Sequence, residues 1–296
     1  MKVNEKEYCG FNLKFISFNQ LRIGIATELG PRILYLAHND KPELNLFGIL
    51  PEAGVQTEEG FWHIYGGHRL WSSPEATPRS YSLDDKPVAI EFKKNKVTII
   101  GNPEYANSIQ KKLTIQPDRK NKGVEVIHTL KNTGRWPIQF ACWALSVMRP
   151  NGTAIIPIKP NKVDKAGLLP DRHLSLWQYT SLADKRLTFL DEYILVQQNP
   201  KIKQPIKIGT KANPSWVAYW VEGLLFVKRF KFEPGEYPDF GCSVEVYTND
   251  AMLETETVGP LKIIEPGESI QYKEIWNILP VGKGKFDWRY LASDNL

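Results

Sequence analysis

The densest concentration of reactive and binding side chains in this chain is Phe61–Pro74, FWHIYGGHRLWSSP, with Glu75 directly after it. An arginine fork can hold hydroxyls or a carboxylate. Trp62 and Trp71 present flat apolar faces on which the C–H face of a sugar ring can stack, and polar groups converging with aromatics typify small-ligand sites. The Gly66-Gly67 pair permits a sharp backbone turn, so His68 and Arg69 are expected to project from a loop tip. A second candidate region is Gly241–Pro260, GCSVEVYTNDAMLETETVGP. Here Glu245, Glu254 and Glu256 lie inside alternating runs, Glu245 in phase with Ser243 and Tyr247, Glu254 and Glu256 out of phase with Leu253 and Thr255. A carboxylate on the concave face of a sheet can serve as a general base if burial raises its pKa. His128 alternates with Val124 and Val126 in GVEVIHTL and is a weaker candidate for the same site.

The elements that must carry these residues are strands. Short runs alternate apolar and polar residues and are broken by Pro, Gly, Asn and Asp: Leu21–Ala26, Ile33–Ala37, Val88–Phe92, Lys96–Ile100, Ile109–Ile115, Gly123–Leu130 and Pro137–Met148 in the first half, then Tyr193–Gln198, Trp216–Val221, Leu224–Phe232, Cys242–Thr248, Met252–Thr257 and Ser269–Leu279. Helical periodicity is absent beyond two turns. So many strands exceed what one open sheet holds, and the expectation is an all-β fold, a large antiparallel β-sandwich forming a single domain over residues 1–296. Lys201–Ser215, rich in Lys and Pro, reads as a long surface loop bordering a cleft.

Composition narrows the function. Hydrophobic residues make up 42% and charged residues 24% of the 296, an ordinary globular balance. The net charge of +5 is interleaved with acids, and the basic stretch Lys111–Lys122 reads as a solvated face; no nucleic-acid partner is expected. No apolar run suits a signal peptide or a membrane span, so a cytoplasmic protein without membrane contact is expected. Cys9, Cys142 and Cys242 form no disulfide framework or metal spacing and read as inert thiols. No phosphate-cradling loop or nucleophile elbow is present. Neither a cofactor nor a metal is expected.

Several strings resemble an uncharacterised bacterial family of the galactose mutarotase-like, or aldose 1-epimerase-like, superfamily. They are Glu28–Arg32 (ELGPR), Tyr65–Glu75 (YGGHRLWSSPE), Trp143–Pro150 (WALSVMRP), Val244–Asn249 (VEVYTN) and Leu253–Glu268 (LETETVGPLKIIEPGE). The resemblance spans the chain from about Leu13 to Leu279. It implies a β-supersandwich with a sugar site on one concave sheet and cofactor-free chemistry, in which a glutamate takes the anomeric proton and a histidine protonates the ring oxygen. In that reading Glu245 is the base, by analogy with the strand glutamate of a CLETQ motif that precedes a Pro-Gly-Glu turn, here Pro266-Gly267-Glu268. His68 is the acid, Arg69 orients the sugar, Trp71 and Trp143 form the stacking floor, and Glu75, His128, Glu254 and Glu256 complete the substrate site. One departure stands out. Mutarotases carry Asn-Leu-Thr-Asn-His after a Pro-Ile pair, whereas here Pro137-Ile138 leads to Trp143 at the histidine position, and an indole cannot shuttle a proton near neutral pH. The functions implied are therefore an aldose 1-epimerase interconverting sugar anomers, a non-catalytic carbohydrate-binding or regulatory domain on the same scaffold, or a polysaccharide lyase or glycoside hydrolase. In each case the partner is a small sugar or oligosaccharide. The sequence leaves the oligomeric state open.

Overall fold

The computed structural model describes all residues except 1, 121, 162, 283, 285–290 and 292–296. Among the described residues the chain folds into an 11-stranded and a 10-stranded antiparallel sheet, accompanied by a two-stranded hairpin, Ile49–Thr57 with Gly60–Gly66. The middle of the 11-stranded sheet runs, in spatial order, Arg32–His38, His68–Ser73, Ile138–Met148, Leu253–Val258, Val244–Thr248, Ile206–Thr210. The middle of the other sheet includes Trp216–Val221, Leu224–Phe230, Ser269–Pro280 and Val124–Asn132. This is the antiparallel β-sandwich that the alternation predicts.

Alternation decides what each strand buries. In Ile138–Met148 the residues Phe140, Cys142, Ala144 and Met148 enter the main core between the sheets, while Ala141, Trp143, Leu145 and Val147 belong to a separate apolar cluster on the other face. The main core is anchored by an edge-to-face set of aromatics: Phe226 and Trp276 have ring centroids 5.5 Å apart, and Phe47 packs at 6.1 and 6.0 Å from them. Full burial of each such side chain stabilises by roughly 1.5–3 kcal/mol, and all three cysteines are free. Cys142 and Cys242 are buried and burial raises both thiols, Cys242 to about 12.

Turns follow their chemistry. Glu222 (φ 51°) and Gly223 (φ 78°) join Trp216–Val221 to Leu224–Phe230, the two positive φ values that a tight right-twisted hairpin requires. Gly66 and Gly67 do not make a loop tip. Gly67 (φ 64°) passes so close to the neighbouring strand that a Cβ there would lie 2.2 Å from the Ile33 carbonyl oxygen. His68 and Arg69 therefore open a central strand, His68–Ser73, and leave it on opposite faces. Lys201–Ser215 is likewise not all loop: Ile206–Thr210 joins the 11-stranded sheet beside Val244–Thr248. Among the described residues no helix is long and apolar enough to cross a membrane.

Candidate active site

The outward face of the 11-stranded sheet carries a cavity of about 460 Å³. Its floor comes from five neighbouring strands, each contributing the residues of one parity: Arg69 and Trp71, then Trp143 and Leu145, then Glu254 and Glu256, then Tyr247, then Lys207. The hairpin supplies one wall with Gly54, Trp62 and Ile64, and the segments around Glu75, Tyr81 and Tyr179 supply the rim.

The floor is organised by ion pairs. Arg69 Nη1 lies 2.7 Å from Glu254 Oε1, both side chains nearly inaccessible, and the guanidinium sits 4.4 Å over the Trp71 ring. Glu245 and Glu256 are directly opposed on adjacent strands, a placement that repels if both are ionised. Lys207 relieves it. Its ammonium is 2.7 Å from Glu245 Oε2 and 2.9 Å from Glu256 Oε2, and lies 4.6 Å from both the Trp143 and the Trp177 ring. Trp143 Nε1 donates to the same Glu256 Oε2 at 2.8 Å. Burial pulls the Lys207 ammonium down, but the two carboxylates outweigh it and hold it well above the usual lysine range. Burial raises Glu256 despite the lysine, and it raises Glu245 well above the ordinary carboxylate value.

Two donors beside the cavity are unsatisfied. Arg69 Nε and Trp62 Nε1 are buried and have no hydrogen-bond partner, although both residues line the cavity. Buried donors left unpaired cost about 1–3 kcal/mol each, a cost that a ligand oxygen would remove.

The expected site residues separate into three groups. Arg69, Trp71, Glu75, Trp143, Glu254 and Glu256 converge on the cavity. Glu245 shares their face but does not reach the cavity wall: it is wholly buried beneath Lys207, and its neighbour across the strand must be Gly209, where a Cβ would lie 3.1 Å from Glu245 Cγ and 2.6 Å from Cys242 Sγ. His68 and His128 are on the opposite face, between the sheets. His68 Nε2 meets His128 Nε2 at 2.8 Å, His68 Nδ1 meets Ser146 Oγ at 2.9 Å, and His128 Nδ1 meets the Tyr272 carbonyl at 3.1 Å. Burial, the largest cause in each case, lowers both imidazoles, His68 well below its ordinary value. The expected pairing of Glu245 as base with His68 as acid therefore fails on geometry, because the thickness of the sheet lies between them. The same strand alternation that puts Arg69 in the cavity forces His68 out of it. Trp71 also departs from a bare stacking floor, since Arg69 covers one of its faces.

Lys207, Tyr81 and Tyr247 were not expected at the site. A signal for Lys207 was present: in Ile206–Thr210, IKIGT, the apolar residues Ile206 and Ile208 alternate with Lys207, a strand pattern hidden by the surrounding Lys and Pro.

No protein-family model matches the sequence, and no curated protein does. Solved structures do. A TPR-domain-containing protein from Parabacteroides distasonis superposes with a TM-score of 0.60 at 12% identity over 94% of this chain, which spans about half (49%) of that protein. A galactose mutarotase-like protein from Lactobacillus casei gives 0.54 at 10% identity, covering 90% of this chain and 100% of the other. Another from Clostridium acetobutylicum gives 0.50 at 10% identity, covering 94% and 98%. The chain thus has the galactose mutarotase-like β-sandwich fold, and the resemblance read from its sequence holds at the level of that fold.

Proposed function

We propose that the concave cavity binds a carbohydrate. The observation that carries the reading is the combination on one sheet face of aromatic side chains with buried, ion-paired carboxylates and unpartnered N–H donors. Aromatic surface suits the C–H face of a sugar ring, and fixed donors and acceptors suit its hydroxyls. Trp62, Tyr81 and Tyr179 supply apolar surface at the walls and rim, and Tyr247 at the floor. Arg69 Nε and Trp62 Nε1 donate to hydroxyl oxygens, while Glu254 and Glu256 accept from hydroxyls with the lone pairs that Arg69, Lys207 and Trp143 leave. The mutarotase-like neighbours agree with a sugar as ligand. Titrating the protein with aldoses while following tryptophan fluorescence and heat tests the reading; saturable binding that is lost in Arg69→Met supports it, and silence towards every monosaccharide and short oligosaccharide removes it.

A second reading, ring-opening interconversion of anomers, is favoured by Glu256, a carboxylate at the cavity whose pKa burial raises toward the working range of a general base. Lys207, 2.9 Å away, is the adjacent proton donor, although its tight hold on its proton makes it a poor acid at neutral pH. Polarimetry decides between the two readings: acceleration of mutarotation that disappears in Glu256→Gln selects the enzyme, and binding without acceleration selects the recognition domain.

A further inference from the structure

Five charged side chains line the cavity, two cations and three carboxylates: Arg69 and Lys207 against Glu75, Glu254 and Glu256. Both cations are already engaged. Arg69 is paired with Glu254, and Lys207 with Glu245 and Glu256. An anionic group entering here would meet two cations already neutralised by carboxylates and three carboxylates, Glu75, Glu254 and Glu256, that repel it. Glu75 differs from the other two acids. It stands at the exposed rim, it accepts a hydrogen bond at Oε1 from the hydroxyl of Tyr81, and among the described residues no cation pairs with it. Tyr81 and Tyr179 also line the cavity, and Tyr81 packs with its ring centroid 5.4 Å from Trp62 and 5.3 Å from Trp71. A carboxylate with no cation of its own attracts an ammonium group by charge.

We infer that the cavity selects a sugar carrying a free amine, with the ring over the paired floor and the ammonium at Glu75, and that it discriminates against phosphorylated sugars and uronates. The inference rests on the carbohydrate reading above and adds the charge class of the ligand. The unpartnered donors Arg69 Nε and Trp62 Nε1 take hydroxyl oxygens of the ring, while Glu75 supplies the one carboxylate of the cavity that, among the described residues, has no cation of its own.

The test is a calorimetric panel on the full-length chain at pH 7: glucosamine and galactosamine, glucose and galactose, their 6-phosphates, and glucuronate, at low and at physiological salt. The amino sugars should bind about 3- to 10-fold more tightly than their neutral parents, a margin that narrows with salt, and the phosphates and glucuronate more weakly than the parents. In Glu75→Gln, checked for an unchanged unfolding curve, the amine-to-neutral ratio should fall to about 1, the ratio expected when the added charge meets no fixed counter-charge. Neutral sugars binding as tightly as amino sugars, or phosphates binding more tightly than either, would overturn the inference and leave the carbohydrate site standing. A retained amine preference in Glu75→Gln would overturn the role of Glu75. Failure of every sugar to bind would take down both readings together.

Discussion

The two faces of the 11-stranded sheet make opposite use of buried charge. On the inner face, between the sheets, Lys228 Nζ lies 3.2 Å from Glu274 Oε1 and donates to the Ala144 carbonyl at 3.0 Å and to Ser146 Oγ at 3.3 Å. Glu274 also accepts from Trp276 Nε1 at 2.7 Å and from the Thr257 hydroxyl. The hydroxyl of Ser146 then faces His68 Nδ1, His68 faces His128, and His128 Nδ1 ends on a carbonyl. With both imidazoles neutral, one direction of donation satisfies that chain from the ammonium to the carbonyl. On the outer face Arg69, Glu254, Glu256 and Lys207 are paired as well, yet Arg69 Nε and Trp62 Nε1, in residues that line a cavity, have no partner. Polarity alone therefore does not identify a ligand site; an incomplete network beside accessible space does. The three ligand-type groups His68, His128 and Glu274 lie close enough together for a metal cluster, but the Lys228 ammonium already neutralises the carboxylate there.

If this division is right, substitutions in the two regions should affect different observables. The largest effect belongs to Glu274→Ala, which leaves Lys228 as a buried unpaired cation and should cost about 3–5 kcal/mol in urea unfolding. Unchanged stability there would mean that the inner network contributes little. Next is Arg69→Met: ligand affinity should fall by about 2–4 kcal/mol as titration measures it, and equal affinity would remove Arg69 from the site. Trp143→Phe keeps a ring but deletes the donor to Glu256, at a cost to stability of about 1.5–3 kcal/mol for a buried hydrogen bond to a charged group; an unchanged urea midpoint would show that Glu256 does not depend on that donor.

The smallest effect is in pH dependence. Burial lowers His68 and His128, so between the ordinary histidine value near 6.5 and their folded values the unfolded chain binds more protons than the fold. Their contribution is complete above about pH 6.5 and is lost as pH falls below it. Glu245 and Glu256, raised by burial, act in the opposite sense, contributing stability below the ordinary carboxylate range that is lost as pH rises through their folded values. The histidine share is isolated by difference: between pH 6.5 and 5.5 wild type should lose about 1 kcal/mol more per pH unit than His68→Gln, read from urea midpoints. Parallel slopes would sink this account of His68.

Much of the architecture was legible because alternation is a local signal. Leu21–Ala26 and Trp216–Val221 have the same bounds in the structure as in the sequence pattern. The parity assignments of Glu245, Glu254 and Glu256 also hold, since register along one strand needs no long-range information. What sequence could not supply is which strands neighbour one another and how deep each side chain sits. Glu245 has the right face and the wrong depth, because Lys207 from a strand some forty residues earlier lies over it. His68 was assigned to a turn because a Gly-Gly pair usually marks one, whereas here Gly67 serves close strand packing.

The His68–Ser73 strand also limits how this protein can change. Because its two faces serve different purposes, an insertion or deletion of one residue near Gly67 would send the guanidinium into the sandwich interior and the imidazole toward solvent, damaging folding and recognition at once. Diversification of such a scaffold is therefore channelled into point replacements on the strands and length variation in the rim segments, and libraries aimed at altering its preference would do best to hold the strand lengths fixed.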